Sequence, residues 1–241
     1  MTSASSIELS IVIPCFKEGK KILKDLEEAI AFLNQNQIPG EVIVVDDGSP
    51  DDTAQIAREF ASREPRVKIV RYEINRGKGY AIRQGMAASI GRYVMFADAG
   101  LCVPFHYARI GIKLLKKGCD MAIASRALPE SEIKKASPTH RQIGSKVFWI
   151  LLRLFMGIPP RIRDTQCGFK LYDGLKGREL FSRCFIDGFM IDIELLSRAF
   201  RLGWQIENFP VEWHNDSDTR FHPLTGSWRL LWDLLKIRLK V

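Results

Sequence analysis

Apolar residues in the first half of the chain fall into short β-branched blocks separated by longer stretches of helical period. Residues 9–13 (Leu-Ser-Ile-Val-Ile) form the first block. Behind it, Ile22, Leu23, Leu26, Ile30 and Leu33 recur on one helical face, which predicts an amphipathic helix. Pro39-Gly40 breaks that period, and residues 41–45 (Glu-Val-Ile-Val-Val) read as a buried strand. The rhythm continues with a helix over 51–62, a strand over 67–71 and a helix over 78–89. A strand over 93–97, a helix over 104–117 and a strand over 121–124 complete it. Strands joined by crossover helices predict a mostly parallel sheet with helices on both faces, an α/β fold. Ligands in such sheets sit beyond the carboxyl ends of the strands.

The rhythm changes after residue 126. Residues 128–138 are polar, carry two prolines and read as a mobile loop. A helix rich in large apolar residues is expected over 140–156, and a polar turn leading into a short strand over 161–172. A helix over 192–202, a strand over 204–213 and a closing helix over 226–239 follow. No linker composition intervenes, so residues 1–241 read as one domain, with an extension over 127–241 added to the alternating half at 8–126.

Composition narrows the partners. The formal net charge is +8, and most of the excess lies after residue 124, which favours an anionic partner for the second half. No nucleic-acid-binding motif accompanies that charge, so no nucleic acid is expected. Five scattered cysteines without a CxxC pair predict neither a disulfide framework nor a zinc site, and suit a cytoplasmic location. The polar start over 1–6 carries no signal-peptide pattern. The longest apolar run, 147–156, includes Arg153 and is half of the roughly 20 residues a spanning helix needs.

The carboxylates gather where strands end. Asp46 and Asp47 follow the second strand and Asp98 follows the fourth. One such carboxylate can cap a turn or helix, and Asp46-Asp47-Gly48-Ser49 is open to that reading. Several at neighbouring tips repel unless a cation or a hydrogen-bond donor compensates. Asn75-Arg76-Gly77-Lys78-Gly79 has glycines around a Lys at a helix start, compatible with a phosphate cradle or with an exposed β–α turn. It lacks the GxxxxGK[ST] spacing, which excludes a Walker-type ATPase. The four His residues show no metal-ligand spacing.

Taken in order, several segments carry a family resemblance. They are Val12-Ile13-Pro14 with Glu18, then Val44-Val45-Asp46-Asp47-Gly48-Ser49 with Asp52-Thr53, then Asn75 to Gly79, then Phe96-Ala97-Asp98-Ala99. This order and spacing resembles family 2 glycosyltransferases. Asp164-Thr165-Gln166-Cys167-Gly168-Phe169-Lys170 and Asp187-Gly188-Phe189, with Asp192 and Glu194 beyond, resemble the dolichyl- and polyprenyl-phosphate glucosyl- or mannosyltransferases, the glucosyl branch more closely.

The resemblance implies a GT-A fold and an inverting hexosyl transfer, from a nucleotide sugar such as UDP-glucose to a polyprenyl phosphate. Pro14, Phe16 and Glu18 would then line the nucleoside pocket, Asp46 would meet the base and Asp47 would lie beside it. Lys78 and Arg126 would join the donor site. Asp98 and Ala99 begin the Asp-x-Asp motif that holds Mg²⁺ or Mn²⁺, but Gly100 replaces its second carboxylate. Asp164, Thr165, Gln166, Lys170 and Arg220 would meet the acceptor, with Arg220 gripping phosphate from a loop over 213–220. Asp192 is expected to face the site and to be the first candidate for a general base, and Glu194 to be structural. The helix over 228–241 mixes Leu and Ile with Arg and Lys. It suits either the core or the inner face of an anionic membrane, where a peripheral enzyme would meet a lipid acceptor. Two other readings are a nucleotide-sugar-binding protein without catalysis, and a transferase acting on a soluble acceptor.

Overall fold

The computed structural model describes residues 7–134, 152–153, 155–214 and 223–241, the last of these as backbone alone over 223–229. A seven-stranded sheet forms its centre. Its strands are β1 (Leu9–Cys15), β2 (Gly40–Asp47), β3 (Val67–Tyr72), β4 (Tyr93–Ala97), β5 (Met121–Ser125), β7 (Phe169–Asp173) and β8 (Ile206–Pro210). Their spatial order is β3-β2-β1-β4-β7-β5-β8. All pairings are parallel except those of β7, which runs antiparallel to both β4 and β5. A two-stranded parallel ladder of β6 (Glu132–Ile133) and β9 (Glu212–Trp213) stands apart.

The apolar runs are continuous because both sheet faces are covered. Leu9, Ile11 and Ile13 of β1 and Val42 and Val44 of β2 pack on one face. There they meet helices α1 (Ile22–Gln35), α2 (Thr53–Ala61) and α4 (Ala108–Lys116). Val12, Ile43 and Val45 point to the other face, toward α3 (Lys78–Ala88), α5 (Gly174–Ser182), α6 (Ile191–Arg201) and α7 (Pro223–Lys240). Alternate residues of one strand thus feed two cores. Gly85 lets α3 lie close on the sheet, since a Cβ there would come within 2.2 Å of Val12 Cγ1.

Most expected elements form within a few residues of their expected ends. Three features differ. The segment over 174–182 folds as α5, started by Asp173, whose carboxylate accepts from the Lys176 N–H at 3.1 Å. The stretch expected as one strand over 204–213 is two, β8 and β9, in different sheets. Inside the segment read as a loop, Glu132 and Ile133 pair with β9. The helix expected over 140–156 lies mostly outside the described residues, of which 152–153 and 155–156 are helical.

The reversed direction of β7 matters for the site. Its start lies at the same sheet edge as the ends of the parallel strands. The 164–168 turn is therefore brought beside the β4 tip, and the Asp98 N–H donates to the Gly168 carbonyl at 2.8 Å.

Candidate active site

A cavity of about 440 Å³ opens at that edge. Pro14, Phe16 and Glu18 line it from the end of β1, Asp47 from β2, and Asn75, Gly77 and Lys78 from the approach to α3. Asp98, Ala99 and Cys102 come from the loop after β4, Arg126 from the end of β5, and Gln166, Cys167 and Gly168 from the turn before β7. Phe189 and Trp213 complete the wall. Eight of the nine donor-site residues expected from sequence, all but Asp46, line this one cavity.

Asp46 and Asp47 divide the work because adjacent strand residues face opposite ways. Asp46 is fully buried. It accepts from the Ser49 N–H at 3.1 Å and lies 3.3 Å from Nε of Arg71, its partner on β3. Asp46 therefore does not face the cavity, against the base contact expected of it, and Asp47 is the member of the pair that lines the wall. Asp47 in turn anchors the loop before α3. It accepts from Asn75 Nδ2 at 2.8 Å, the Arg76 N–H at 2.7 Å and the Gly77 N–H at 2.8 Å. Arg76 then stacks its guanidinium 3.8 Å over the Tyr80 ring.

That loop is not a backbone phosphate cradle. The N–H of Gly77 goes to Asp47, and those of Gly79 and Tyr80 go to the Asp187 carbonyl at 2.7 and 3.2 Å. Gly79 is required for this approach, because a Cβ would sit 2.4 Å from the Ile186 carbonyl oxygen. The loop's contribution to the cavity is the Lys78 side chain. Its Nζ contacts both carboxylate oxygens of Asp98, at 2.7 and 2.8 Å. Burial depresses the Lys78 pKa, but the charges of Asp98 and Asp192 more than offset it and hold the ammonium above its ordinary value.

Arg126 is the second cavity cation. Asp164 grips it through Nε at 2.7 Å and Nη2 at 2.8 Å, and also accepts its backbone N–H at 2.9 Å. Burial raises the Asp164 pKa, and Arg126 outweighs it, so the carboxyl sits below its usual range. The Arg126 guanidinium lies 5.2 Å from the Trp213 ring centre. Asp164 is thus a holder of Arg126 rather than part of the cavity wall, and Thr165 is buried beside it. Of the expected acceptor residues described, only Gln166 reaches the cavity. Arg220 lies outside the described residues.

Lys170 and Asp192 are corrected as well. Both are buried, pair with each other and do not line the cavity. Lys170 also donates to the Cys167 carbonyl at 2.8 Å, so the pair shapes the turn that carries Gln166 and Gly168. A carboxylate committed to a buried lysine is badly placed to take a proton from a substrate. Glu194 is buried too and accepts from the N–H groups of Phe185 and Ile186 at 2.8–3.1 Å, a structural role as expected.

Sequence reasoning missed Asn75, Phe189 and Trp213 as wall residues. Asn75 stood in a motif already under scrutiny. Phe189 likewise lay in the Asp187-Gly188-Phe189 motif and Trp213 at the start of the loop over 213–220, but neither was assigned a place in the wall.

A model of glycosyl transferase family 2 matches residues 10–174. The chain belongs to this family. Curated relatives of this glycosyltransferase include dolichyl-phosphate β-glucosyltransferases. The one from Saccharomyces cerevisiae is 34% identical over 253 residues, covering 97% of this chain and 75% of its own length. The human and Drosophila melanogaster enzymes are each 32% identical, spanning 97% and 95% of this chain and 75% and 73% of their own. Among solved structures, glucosyl-3-phosphoglycerate synthase from Mycobacterium tuberculosis, in complex with Mn²⁺, UDP and phosphoglyceric acid, superposes with a TM-score of 0.70 at 23% identity. That match covers 98% of this chain and 80% of the synthase. Mannosyl-3-phosphoglycerate synthase from Rubrobacter xylanophilus gives 0.68 at 19%, covering 96% and 72%. The fold of this glycosyltransferase is therefore GT-A.

The synthase complex from Mycobacterium tuberculosis contains Mn²⁺. In this glycosyltransferase, no group of three or more His, Cys, Asp and Glu side chains that could hold an ion comes together among the described residues. Asp98 still fits a more modest part, because Mg²⁺ is often held by one or two carboxylates plus phosphate oxygens and water. Its carboxylate is about one-third exposed in the cavity and, with Gly100 next but one, stands without the motif's second acid.

Proposed function

We propose that this glycosyltransferase moves glucose from UDP-glucose to a polyprenyl phosphate such as dolichyl phosphate, with inversion at the anomeric carbon. The observation that carries the reading is the convergence of two held cations, Lys78 and Arg126, with Asp47 and Asp98 on one cavity at the strand ends. The names of relatives at 32–34% identity over nearly the whole chain support the choice of substrates.

In this reading residues 8–126 carry most of the donor site and 127–241 the acceptor side. The nucleoside lies along Pro14, Phe16 and Glu18, with Asp47 at the base. Lys78 and Arg126 face the diphosphate. Asp98 would hold a divalent ion, which would supply positive charge to the leaving diphosphate. An acceptor phosphate oxygen attacks the anomeric carbon from the face opposite the diphosphate. The new C–O bond forms as the old one breaks, and the electron pair leaves with UDP. A phosphate oxygen is already ionised near neutral pH, so no general base is required. Alignment and charge stabilisation then carry the rate. The burial of Asp192 against Lys170 agrees with a reaction that needs no such base.

The lipid would be met at the cytoplasmic face of a membrane. No described helix is long and apolar enough to cross one. Helix α7 instead buries Leu234 and Ile237 while exposing Leu231, Trp232, Leu235 and Leu239 near Lys236, Arg238 and Lys240, a composition suited to lying on an anionic surface. The phosphoglycerate in the synthase complex favours a second reading, transfer to a soluble phosphorylated acceptor. UDP release measured with polyprenyl phosphate and with 3-phosphoglycerate separates the two, since each reading expects release with its own acceptor alone.

A further inference from the structure

The loop that replaces the motif's second carboxylate is held from behind by an acid of its own. Asp25, in the first turn of α1, is only 2% exposed and is not part of the cavity wall. Both its oxygens accept from the Gly100 N–H, at 3.0 and 2.9 Å, and the Leu101 N–H adds to the same carboxylate. These two residues occupy consecutive left-handed conformations, with φ of 92° and 51°. Such a pair is costly for Leu and persists only where its surroundings enforce it. The turn so enforced carries Asp98 and Ala99 on one side and Cys102 on the other, all three in the cavity wall.

We propose that Asp25 is a positioning residue for the donor site, fixing the Asp98–Cys102 turn through its backbone. The role rests on the donor reading above. Its environment agrees with a functional rather than a stabilising duty. Burial, the strongest influence, and the nearby charge of Glu18 raise the Asp25 carboxyl to about 6, while the loop N–H groups and Lys21 pull the other way. An acid held against its own desolvation costs the fold stability at neutral pH, and sites that do so are functional candidates.

The test compares wild-type protein with Asp25→Asn, Asp25→Ala and Gly100→Ala. UDP-glucose affinity is read by calorimetry, amide exchange is followed at Gly100 and Leu101, and melting temperature is taken at pH 8. Asn keeps one acceptor and removes the buried charge. The expected order of affinity is wild type, then Asn, then Ala, with Asp25→Asn weaker by about tenfold, as for loss of one charged hydrogen bond. Exchange at the two amides rises in step, while the Asp25→Asn melting temperature equals or exceeds that of wild type. Gly100→Ala, strained at its positive φ, repeats the loss from the other side of the contact. Affinity within twofold of wild type in Asp25→Asn overturns the role. So does a loss that accompanies a melting temperature several degrees lower, which marks Asp25 as a fold residue. A wild-type protein that binds no UDP-glucose overturns the donor reading and this role with it.

Discussion

At the scale of single residues, the pair Asp46 and Asp47 shows how far a motif can be read. Sequence alone identifies a strand tip that borders the cavity, because acids directly after a β-branched run fall at the carboxyl edge of the sheet. It cannot choose between two neighbours, since the choice depends on which face of β2 each side chain leaves, and register decides that. The opposite environments predict opposite phenotypes. Asp46→Ala leaves Arg71 and the Ser49 N–H without their buried partner and should cost about 1–3 kcal/mol of stability, with UDP-glucose affinity little changed. Asp47→Ala should weaken UDP-glucose binding by about tenfold or more while also loosening residues 75–77. Thermal melts and calorimetry on the two variants check this, and a larger affinity loss for Asp46→Ala would reverse the assignment. Asp192 teaches the same lesson. Its place in a motif was legible, but Lys170, the second residue of β7, takes it out of the cavity, and a pairing across 22 residues leaves no pattern in the chain.

At the scale of elements, the alternating half was legible because each strand and helix declares itself by local period. The part that builds the far wall was not. A run such as Phe169–Asp173 predicts a strand but not its direction, and only the antiparallel insertion between β4 and β5 brings Gln166 and Gly168 to the site. Gly168 is fixed by that closeness, since a Cβ there would lie 1.8 Å from an Asp98 oxygen. The Arg126–Asp164 pair joins the end of β5 to the same turn, and it makes a pH signature. The Asp164 carboxyl is held below its ordinary value by Arg126, after that charge overcomes burial. The folded state therefore binds this proton less readily than the unfolded chain. The stability it contributes is present above the ordinary carboxylate pKa near 3.8 and is lost as pH falls through the lowered folded value. Wild type should lose stability across that acid range, and Asp164→Asn should lack this component while being less stable at neutral pH. Denaturant melts at successive pH values measure both, and parallel profiles for the two proteins would refute the pairing's importance.

At the scale of the whole molecule, the proposed lipid acceptor makes a demand on charge and on the surface of α7. Each Lys or Arg near an anionic surface contributes about 1 kcal/mol, so the basic residues beside Leu231 and Trp232 suit reversible attachment. Co-sedimentation with phosphatidylserine vesicles should fall with rising salt, and should fall further in the double variant Leu231→Glu, Trp232→Glu, whose substituted side chains are both more than half exposed. Binding unaffected by either change would leave the helix without this role. The most direct measurement is transfer of labelled glucose from UDP-glucose into polyprenyl phosphate by the purified protein, beside Lys78→Ala. Wild type should form a glucosyl phospholipid with release of UDP, and Lys78→Ala should lose about 100-fold or more of the rate, the scale of one preorganised charge contact in a transition state. No labelled lipid from wild type, or equal rates from the two proteins, would contradict the assignment of this cavity as the place where sugar is transferred.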